Sequence, residues 1–297
     1  MRAARLLEPN GPSGVVVEEI DRPAAAPGEA LVRVRAAAIT RDELDWPVDR
    51  LPAIPSYELS GVIEAVGRDV HGFAPGDEVF ALTPFDRDGV AAEYATVPAD
   101  VLAPRPRTID HVESAAIPMG ALTAWQGLFV HGRLGADQRV LILGAAGGVG
   151  HLAVQLARSR SAHVIASVSS SGTDIVRESG ADQVIEHSAG LFDDAFEPVD
   201  LVFDTAGGGL LRRAPTFLSP GGRIVTVAGS PPDGIEARSF VVDPDRDQLS
   251  EVAALVDRGE LHPAIDGVYE LDDARAAFER SMTGGKRGKV VIRVGEA

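Results

Sequence analysis

Residues 139–159, RVLILGAAGGVGHLAVQLARS, decide the architecture of this chain. Val140 to Leu143 form an unbroken apolar run, the signature of a strand covered on both faces. The run breaks at Gly144 into small residues. From Val149 onward apolar side chains recur at helical spacing, among them Ala153, Leu156 and Ala157. Strand, glycine-rich turn and helix in that order suit a dinucleotide pyrophosphate, which needs backbone that can approach it and a helix N-terminus with free N–H groups and a positive dipole end. Laid on the pattern GxGxxG, Ala145 takes the first glycine's place, Gly147 the second and Gly150 the third. Gly144 and Gly148 keep the turn supple, and Ala146 and Val149 complete it. A plain strand-to-helix turn can look similar, but the flanking strand and helix supply the context that a cofactor site requires.

The chain has 297 residues, more than one ordinary domain, so two are expected. Hydrophobic residues make up 45% of it and charged residues 24%, enough for a sizeable core in a soluble globular protein. Its 28 lysines and arginines face 44 aspartates and glutamates, a net charge of −16. Nucleic acid is therefore not expected as a partner, because phosphate backbones are held by basic surfaces. No apolar run approaches the ~18–20 residues of a membrane span, and the opening MRAARLLEPNG lacks a signal peptide's apolar core, so a cytoplasmic location is the expectation. There are no cysteines, which removes disulfides, thiolate nucleophiles and cysteine-bound zinc. None of the seven histidines stands in a metal-ligand spacing, so no metal site is expected.

Residues 1–103 read as short strands at 2–7, 14–20, 31–37, 59–66, 78–82 and 91–97, parted by turn segments such as EPNGPSG and FAPGD. They predict an all-β module, a partly open barrel. Its loop ITRDELDWPVDR carries polar and aromatic side chains where sites tend to be built. Near residue 104 the texture changes. Asp110 and Glu113 form a capping-box pattern opening a helix over DHVESAAIPMG, and residues 121–130 read as a second helix. Beyond Arg139, strands and helices alternate through HVIASV, TDIVRES, DLVFDTAG, RIVTVAG, FVV and DQLSEVAALVDRG, which predicts a doubly wound parallel sheet. VYELDDARAAFERSM and KVVIRV read as strand, helix and closing strand. Residues 266–297 are thus expected to rejoin 1–103, leaving 104–265 as the second domain. GGKRGKV at 284–290 lacks the spacing and the Ser/Thr of a phosphate-binding loop and is set aside.

Taken in sequence, IPSYELSGVIEAVGRDVHGFAPGDEVFAL, AAEYATVPAD, AAIPMGALTAW, VLILGAAGGVG, SGAD, FDTAGG, SPGGRIV and GKVVIRV resemble the medium-chain dehydrogenase/reductase superfamily, and within it the zinc-independent quinone oxidoreductase branch. The resemblance runs over nearly the whole chain. It implies an α/β protein with a GroES-like β-barrel catalytic domain, a Rossmann domain and a cleft between them, NADPH as hydride donor, and a homodimer. Zinc-dependent relatives hold catalytic zinc with a cysteine, a His-Glu pair and a second cysteine. At the matching places this chain has Thr40, Tyr57-Glu58 and the cysteine-free AAIPMGALTAW, and the four-cysteine structural lobe is missing. Without soft ligands a zinc alkoxide cannot form, which removes alcohol dehydrogenase chemistry from the expectation.

With the cofactor carrying the hard step, the protein is expected to orient an electron-poor acceptor such as a quinone or an α,β-unsaturated carbonyl. An enone needs a hydrogen-bond donor near its developing enolate. The candidate catalytic residues are Thr40 and Tyr57, expected to face the nicotinamide from the vacated ligand positions, and Asp42. Tyr57 reads equally well as a core phenol with one satisfied hydrogen bond, and Asp42 as a turn cap. Trp46 reads as a pocket wall and Glu58 as structural. After HVIASV, where a ribose-binding acid would stand about 20 residues past the glycine-rich turn, the chain has Ser167, Ser169 and Ser170, which can bond a 2′-phosphate without opposing its charge. This favours NADPH, although the nearest cation is Arg177 and a serine-rich turn also suits an ordinary helix start. Thr205, Ala206 and Gly207, and then Val227 and Ala228, end strands at the carboxyl edge of the sheet, where ligands bind. The resemblance adds Phe240 and Val241 beside the nicotinamide and Thr123 beside the phosphates. One reading from another class stays open: an NADPH-binding redox sensor or structural protein with vestigial catalysis.

Overall fold

Two large sheets divide the chain, beside a two-stranded one at its N-terminal end, and the last strands return to the first large sheet. The computed structural model describes residues 1–169, 172–186 and 196–295. Strands β1 (Arg2–Leu6), β2 (Val15–Glu19), β3 (Glu29–Ile39), β4 (Glu58–Val66), β5 (Glu78–Leu82), β6 (Tyr94–Pro98) and β7 (Ala103–Pro104) belong to the N-terminal module. The second sheet holds β8 (Arg139–Leu143), β9 (His163–Val168), β10 (Gln183–Glu186), β11 (Val199–Asp204), β12 (Leu218–Thr226) and β13 (Ala237–Ser239); β14 (Ile265–Glu270) and β15 (Lys289–Arg293) then rejoin the first. The helices are α1 (His111–Ala115), α2 (Pro118–Trp125), α3 (Gly150–Ser159), α4 (Thr173–Glu178), α5 (Gly208–Arg213), α6 (Arg246–Asp257) and α7 (Ala274–Met282).

The first sheet is built on β3, which pairs antiparallel with β4, β6 and β15. Ala30, Val32 and Val34 alternate inward from β3 and meet Ile63, Val97 and Ile292 in one core. On the other face, Ala36 and Ala38 are small enough for Ala115 and Ala116 at the end of α1 to pack against them. Each large aliphatic side chain buried here, Leu59 or Ile63 for example, contributes roughly 1.5–3 kcal/mol.

The second sheet is parallel throughout, in the order β10-β9-β8-β11-β12-β13. Its central strands are apolar on both faces because helices cover both: Val140 and Ile142 face the α3 side, Leu141 and Leu143 the α5 side. The strand order reverses at β8, so a crevice opens beyond its carboxyl end, between the ends of β9 and β11.

Three local expectations are corrected. The capping box forms, with Asp110 accepting from Glu113 N at 2.8 Å and Glu113 accepting from Asp110 N at 3.1 Å, but its helix stops at Ala115. Pro118 cannot donate to a preceding turn and instead opens α2 as a first-turn residue. The helix expected at 121–130 is therefore α2, which passes into a π-helical turn at Gln126–His131. Finally, the edge strand is Ala237–Ser239, and FVV at 240–242 lies beyond it. Among the described residues no helix is long and apolar enough to cross a membrane.

Candidate active site

The glycine-rich turn after β8 is fixed by backbone. Gly144 takes φ +77°, which strains any L side chain, and an added Cβ would stand 2.7 Å from Thr205 Oγ1. Gly147 N donates to Gly144 O at 3.0 Å and closes the turn. Ala145 is fully buried beneath it. Gly150 starts α3 so close to the strand that a Cβ there would lie 2.3 Å from Gly144 O. The left-handed residue is thus Gly144 and not the residue in the first fingerprint position, while Gly150 secures helix-to-strand packing. Beside the turn, the buried Asp204 carboxylate accepts from Gly207 N at 2.9 Å, Ala206 N at 3.2 Å and Thr226 Oγ1 at 2.6 Å, which fixes the end of β11. Thr205 Oγ1 donates to Leu143 O at 2.8 Å and ties that end to β8.

A cleft of about 1310 Å³ lies between the two sheets at this point. Of the residues singled out in the sequence, it is lined by Thr40, Asp42, Trp46 and Thr123, by Gly144 and Ala146 to Val149, by Ser169, by Thr205 to Gly207, and by Val227, Ala228, Phe240 and Val241. Four others do not line it. Ala145 and Gly150 are packed as described. Ser167 is fully buried among the sheet residues and does not line the cleft, so the expectation that its hydroxyl meets a 2′-phosphate is corrected. Tyr57 is 0% exposed and lies behind Trp46 and Phe85, with ring centroids 5.5 and 5.4 Å away. Its hydroxyl accepts from Arg50 Nη2 at 2.9 Å. The expectation that Tyr57 points at the reacting carbon is therefore corrected: the phenol is a core group with one satisfied bond. Burial pushes its pKa above the usual tyrosine value, against the opposing pull of Arg50. Ser170 lies outside the described residues.

Where Tyr57 was expected, the cleft floor holds Thr40 and Lys289. Lys289 Nζ donates to Thr40 Oγ1 at 3.1 Å and forms an ion pair with Glu58 Oε1. Glu58 is fully buried, and its other oxygen accepts from Met119 N at 2.9 Å, so one carboxylate joins β4, the closing strand β15 and the start of α2. Glu43 lies beside them, also fully buried, with one oxygen accepting from Thr40 N at 3.0 Å. Burial raises its pKa to about 8, so near neutral pH it holds a proton and the Glu58–Lys289 pair stays balanced. Asp42 is exposed on the cleft rim, and the short turn that follows it has no side-chain cap hydrogen bond. Trp46, Phe85, Met119 and Phe240 make the surrounding wall apolar.

The families that match are the alcohol dehydrogenase GroES-like domain, over residues 26–107, and zinc-binding dehydrogenase, over residues 179–292. The human mitochondrial NAD(P)H oxidoreductase RTN4IP1 is 30% identical, the alignment covering 90% of this chain and 82% of the relative. The chloroplastic NADPH-dependent alkenal/one oxidoreductase of Arabidopsis thaliana is 31% identical over 94% of this chain and 74% of its own. Among solved structures, the quinone oxidoreductase from Coxiella burnetii superposes with a TM-score of 0.91 at 26% identity, covering 99% of both chains. The chain belongs to the medium-chain dehydrogenase/reductase superfamily. It is an oxidoreductase of that superfamily.

The medium-chain dehydrogenase/reductase frame allows the zinc positions to be tested against the side chains present. Thr40 is a poor zinc donor, Tyr57 is turned to Arg50, and Glu58 is neutralised by Lys289; no cysteine exists to complete a set. The donors do not fit a catalytic zinc, and among the described residues no cluster of three or more His, Cys, Asp or Glu side chains could hold a metal. A nicotinamide dinucleotide does fit. Gly147 and Gly148 line the cleft, where a Cβ on Gly147 would meet only Gly144 O while the Lys289 stem lies against Gly148, and Arg41, Lys286 and Lys289 line it nearby.

Arg41 belongs to the loop marked in the sequence as a place for a site, whereas the two lysines come from the segment that was set aside. GGKRGKV is no phosphate-binding loop, yet it lies on the glycine-rich turn: Gly288 N donates to Ala146 O at 3.2 Å, and Gly147 bridges to Gly288. The lysines of the glycine-punctuated GK repeat just before the closing strand were the available signal. His151 supports the same junction from below. Its Nε2 accepts from Ala264 N at 2.9 Å, so the proton is on Nδ1, which donates to Gly147 O at 2.8 Å.

Proposed function

We propose that this oxidoreductase transfers a hydride from NADPH to a quinone or an α,β-unsaturated carbonyl compound without a catalytic metal. The observation that carries the reading is the Lys289–Thr40 hydrogen bond on the floor of a cleft whose other wall is the glycine-rich turn. When bound, NADPH supplies the hydride; the protein binds, orients and shields. At Gly147 the lack of a side chain lets the pyrophosphate approach the turn, and Arg41 and Lys286 offset its charge. Trp46, Phe85, Met119 and Phe240 give the cleft an apolar wall suited to a planar conjugated acceptor. Thr40 presents a hydroxyl whose oxygen accepts from the Lys289 ammonium and whose proton makes only a long bond, 3.4 Å, to Glu58 Oε1, a bond it can exchange for one to a developing oxyanion.

Relatives named for alkenal/one reduction, for 2-methylene-furan-3-one reduction and as quinone oxidoreductases agree with an electron-poor acceptor. Homodimerisation belongs to the same reading, and a single 31.1 kDa species in sedimentation velocity would remove it. The deciding experiment follows NADPH oxidation with a panel of quinones, enones and aldehydes. Turnover of quinones or enones and not of saturated aldehydes is expected. Tight NADPH binding with turnover of none would replace this reading with that of a sensor.

A further inference from the structure

Three ionisable side chains are buried together at the cleft floor: Glu43 and Glu58 fully, Lys289 nearly so. Lys289 is the one cation among them. It pairs with Glu58 and donates to Thr40 Oγ1 at 3.1 Å, while the second Glu58 oxygen accepts from Met119 N. Glu43 does not line the cleft, and the hydride transfer described above leaves it without a role. One of its oxygens accepts from Thr40 N at 3.0 Å, and Glu43 N donates back to Thr40 O at 3.3 Å. Side chain and backbone thus fix the residue whose hydroxyl the reaction uses. The other Glu43 oxygen is buried and has no hydrogen-bond partner among the described residues. A buried carboxylate with one oxygen bare costs far more than the neutral acid, so this geometry calls for a proton on Glu43.

The surroundings act in both directions. Burial and the Glu58 charge favour the acid, whereas the Thr40 and nearby Ser56 backbones and the Lys289 charge favour the anion; burial is the largest, and the balance stands at about 8. The Tyr57 phenol, in electrostatic reach just before β4, stays neutral there. On the same turn Arg41, Asp42 and Asp45 are exposed and screened by solvent, and the Gly11–Gly14 turn packed against it carries no titratable side chain. With Glu43 neutral, one ammonium answers one carboxylate and stays bonded to Thr40. With Glu43 ionised, two buried carboxylates compete for that ammonium, and its bond to the uncharged Thr40 hydroxyl is the one that yields. We propose that Glu43 is a positioning residue that serves the reaction only in its protonated form, holding Thr40 by the backbone and leaving the Lys289 ammonium to Thr40 and Glu58. This role rests on the reading of Thr40 as the oxyanion donor given above.

The test follows kcat against pH for one enone and one quinone, at saturating NADPH so that cofactor binding does not enter. Wild-type kcat for the enone should fall about tenfold from pH 7 to 9 as Glu43 ionises, and kcat for the quinone less, because a quinone leans less on the oxyanion donor. Glu43→Gln keeps an acceptor for Thr40 N and cannot ionise, so its enone kcat should change by less than about twofold over the same range. Glu43→Ala loses the acceptor as well. Its enone kcat at pH 7 should lie about tenfold below that of Glu43→Gln, with KM for the enone within about twofold. In Thr40→Val the residual enone rate should show no alkaline fall, because Glu43 acts through Thr40. A fall that survives in Glu43→Gln, a flat wild-type profile, or an equal fall for both acceptors overturns this role and leaves the reading of function standing. Turnover of neither acceptor at any pH overturns both.

Discussion

The Lys289 ammonium and the Glu58 carboxylate form a buried ion pair across the junction of the two modules, with side chains 6% and 0% exposed. Removing one partner leaves the other charged and without its counter-charge. Glu58→Leu should therefore cost about 3–5 kcal/mol in denaturant unfolding, and Glu58→Leu with Lys289→Met should recover a large part of that. A single-mutant cost under about 1 kcal/mol would show that the pair does not hold the junction.

Thr40 and Tyr57 should separate cleanly in kinetics. Thr40→Val removes the one hydroxyl that both lines the cleft and accepts from Lys289, and should lower kcat for enones by about 10²-fold, the scale of a lost oxyanion donor, with quinones affected less. Tyr57→Phe keeps the ring between Trp46 and Phe85 and loses only the bond from Arg50. It should leave kcat unchanged and cost about 1.5–3 kcal/mol of stability. A large drop in kcat for Tyr57→Phe at unchanged stability would reverse the two roles.

What could be read from the sequence was what short-range pattern encodes. Val140–Leu143 and the glycines after it specify strand and turn locally, and the alternation beyond Arg139 specifies a parallel sheet. Even the capping box at Asp110 is a relation over three residues. The floor of the site is different in kind, because Lys289 and Glu58 are 231 residues apart and meet only once the chain's end has paired with β3. Tyr57 failed for a similar reason. Its position in the chain fits a cleft residue, but its orientation is set by Arg50 folding back from the loop and by Phe85 covering it.

Gly147 and Gly150 are expected to differ although both belong to the fingerprint. A Cβ on Gly147 meets only Gly144 O at 3.3 Å and otherwise projects toward the cleft, so Gly147→Val should fold and bind NADPH at least about tenfold more weakly. A Cβ on Gly150 meets the backbone of Gly144 and Ala145 at 2.3 to 2.8 Å, so Gly150→Val should unfold or fail to express. Thermal melts and NADPH titration check both; a stable Gly150→Val or a Gly147→Val with wild-type affinity contradicts this account.

Lys286 gives cofactor binding a pH dependence. Burial, followed by the nearby charges of Lys289 and Arg41, brings its ammonium down to about 8. Above that pH the free protein has lost a cation from the wall that faces the glycine-rich turn. The NADPH dissociation constant should rise as pH climbs from 7 to 9, and Lys286→Met should flatten that limb while weakening binding at pH 7. A flat wild-type profile across this range excludes Lys286 from the site.

His151 should give the fold an acid-sensitive clamp. The ring is 1% exposed, donates to Gly147 O and accepts from Ala264 N, an arrangement only the neutral ring can make. Burial accordingly lowers its pKa from 6.5 to about 4. In the unfolded chain the ring takes up a proton as pH falls through about 6.5, while the folded protein resists until about 4, so protons favour unfolding between these values. The contribution is full above pH 6.5 and lost by about pH 4, an amount of about 3 kcal/mol for a shift of this size. His151→Gln cannot titrate in this range. It should be less stable than wild type at pH 7, and the gap should close as the pH is lowered to 4. Unfolding free energies measured for both proteins at half-unit intervals supply the comparison, in which carboxylate titrations common to the two cancel. A gap that stays constant from pH 7 to 4 would mean that His151 packs beneath the turn without its protonation mattering to the fold.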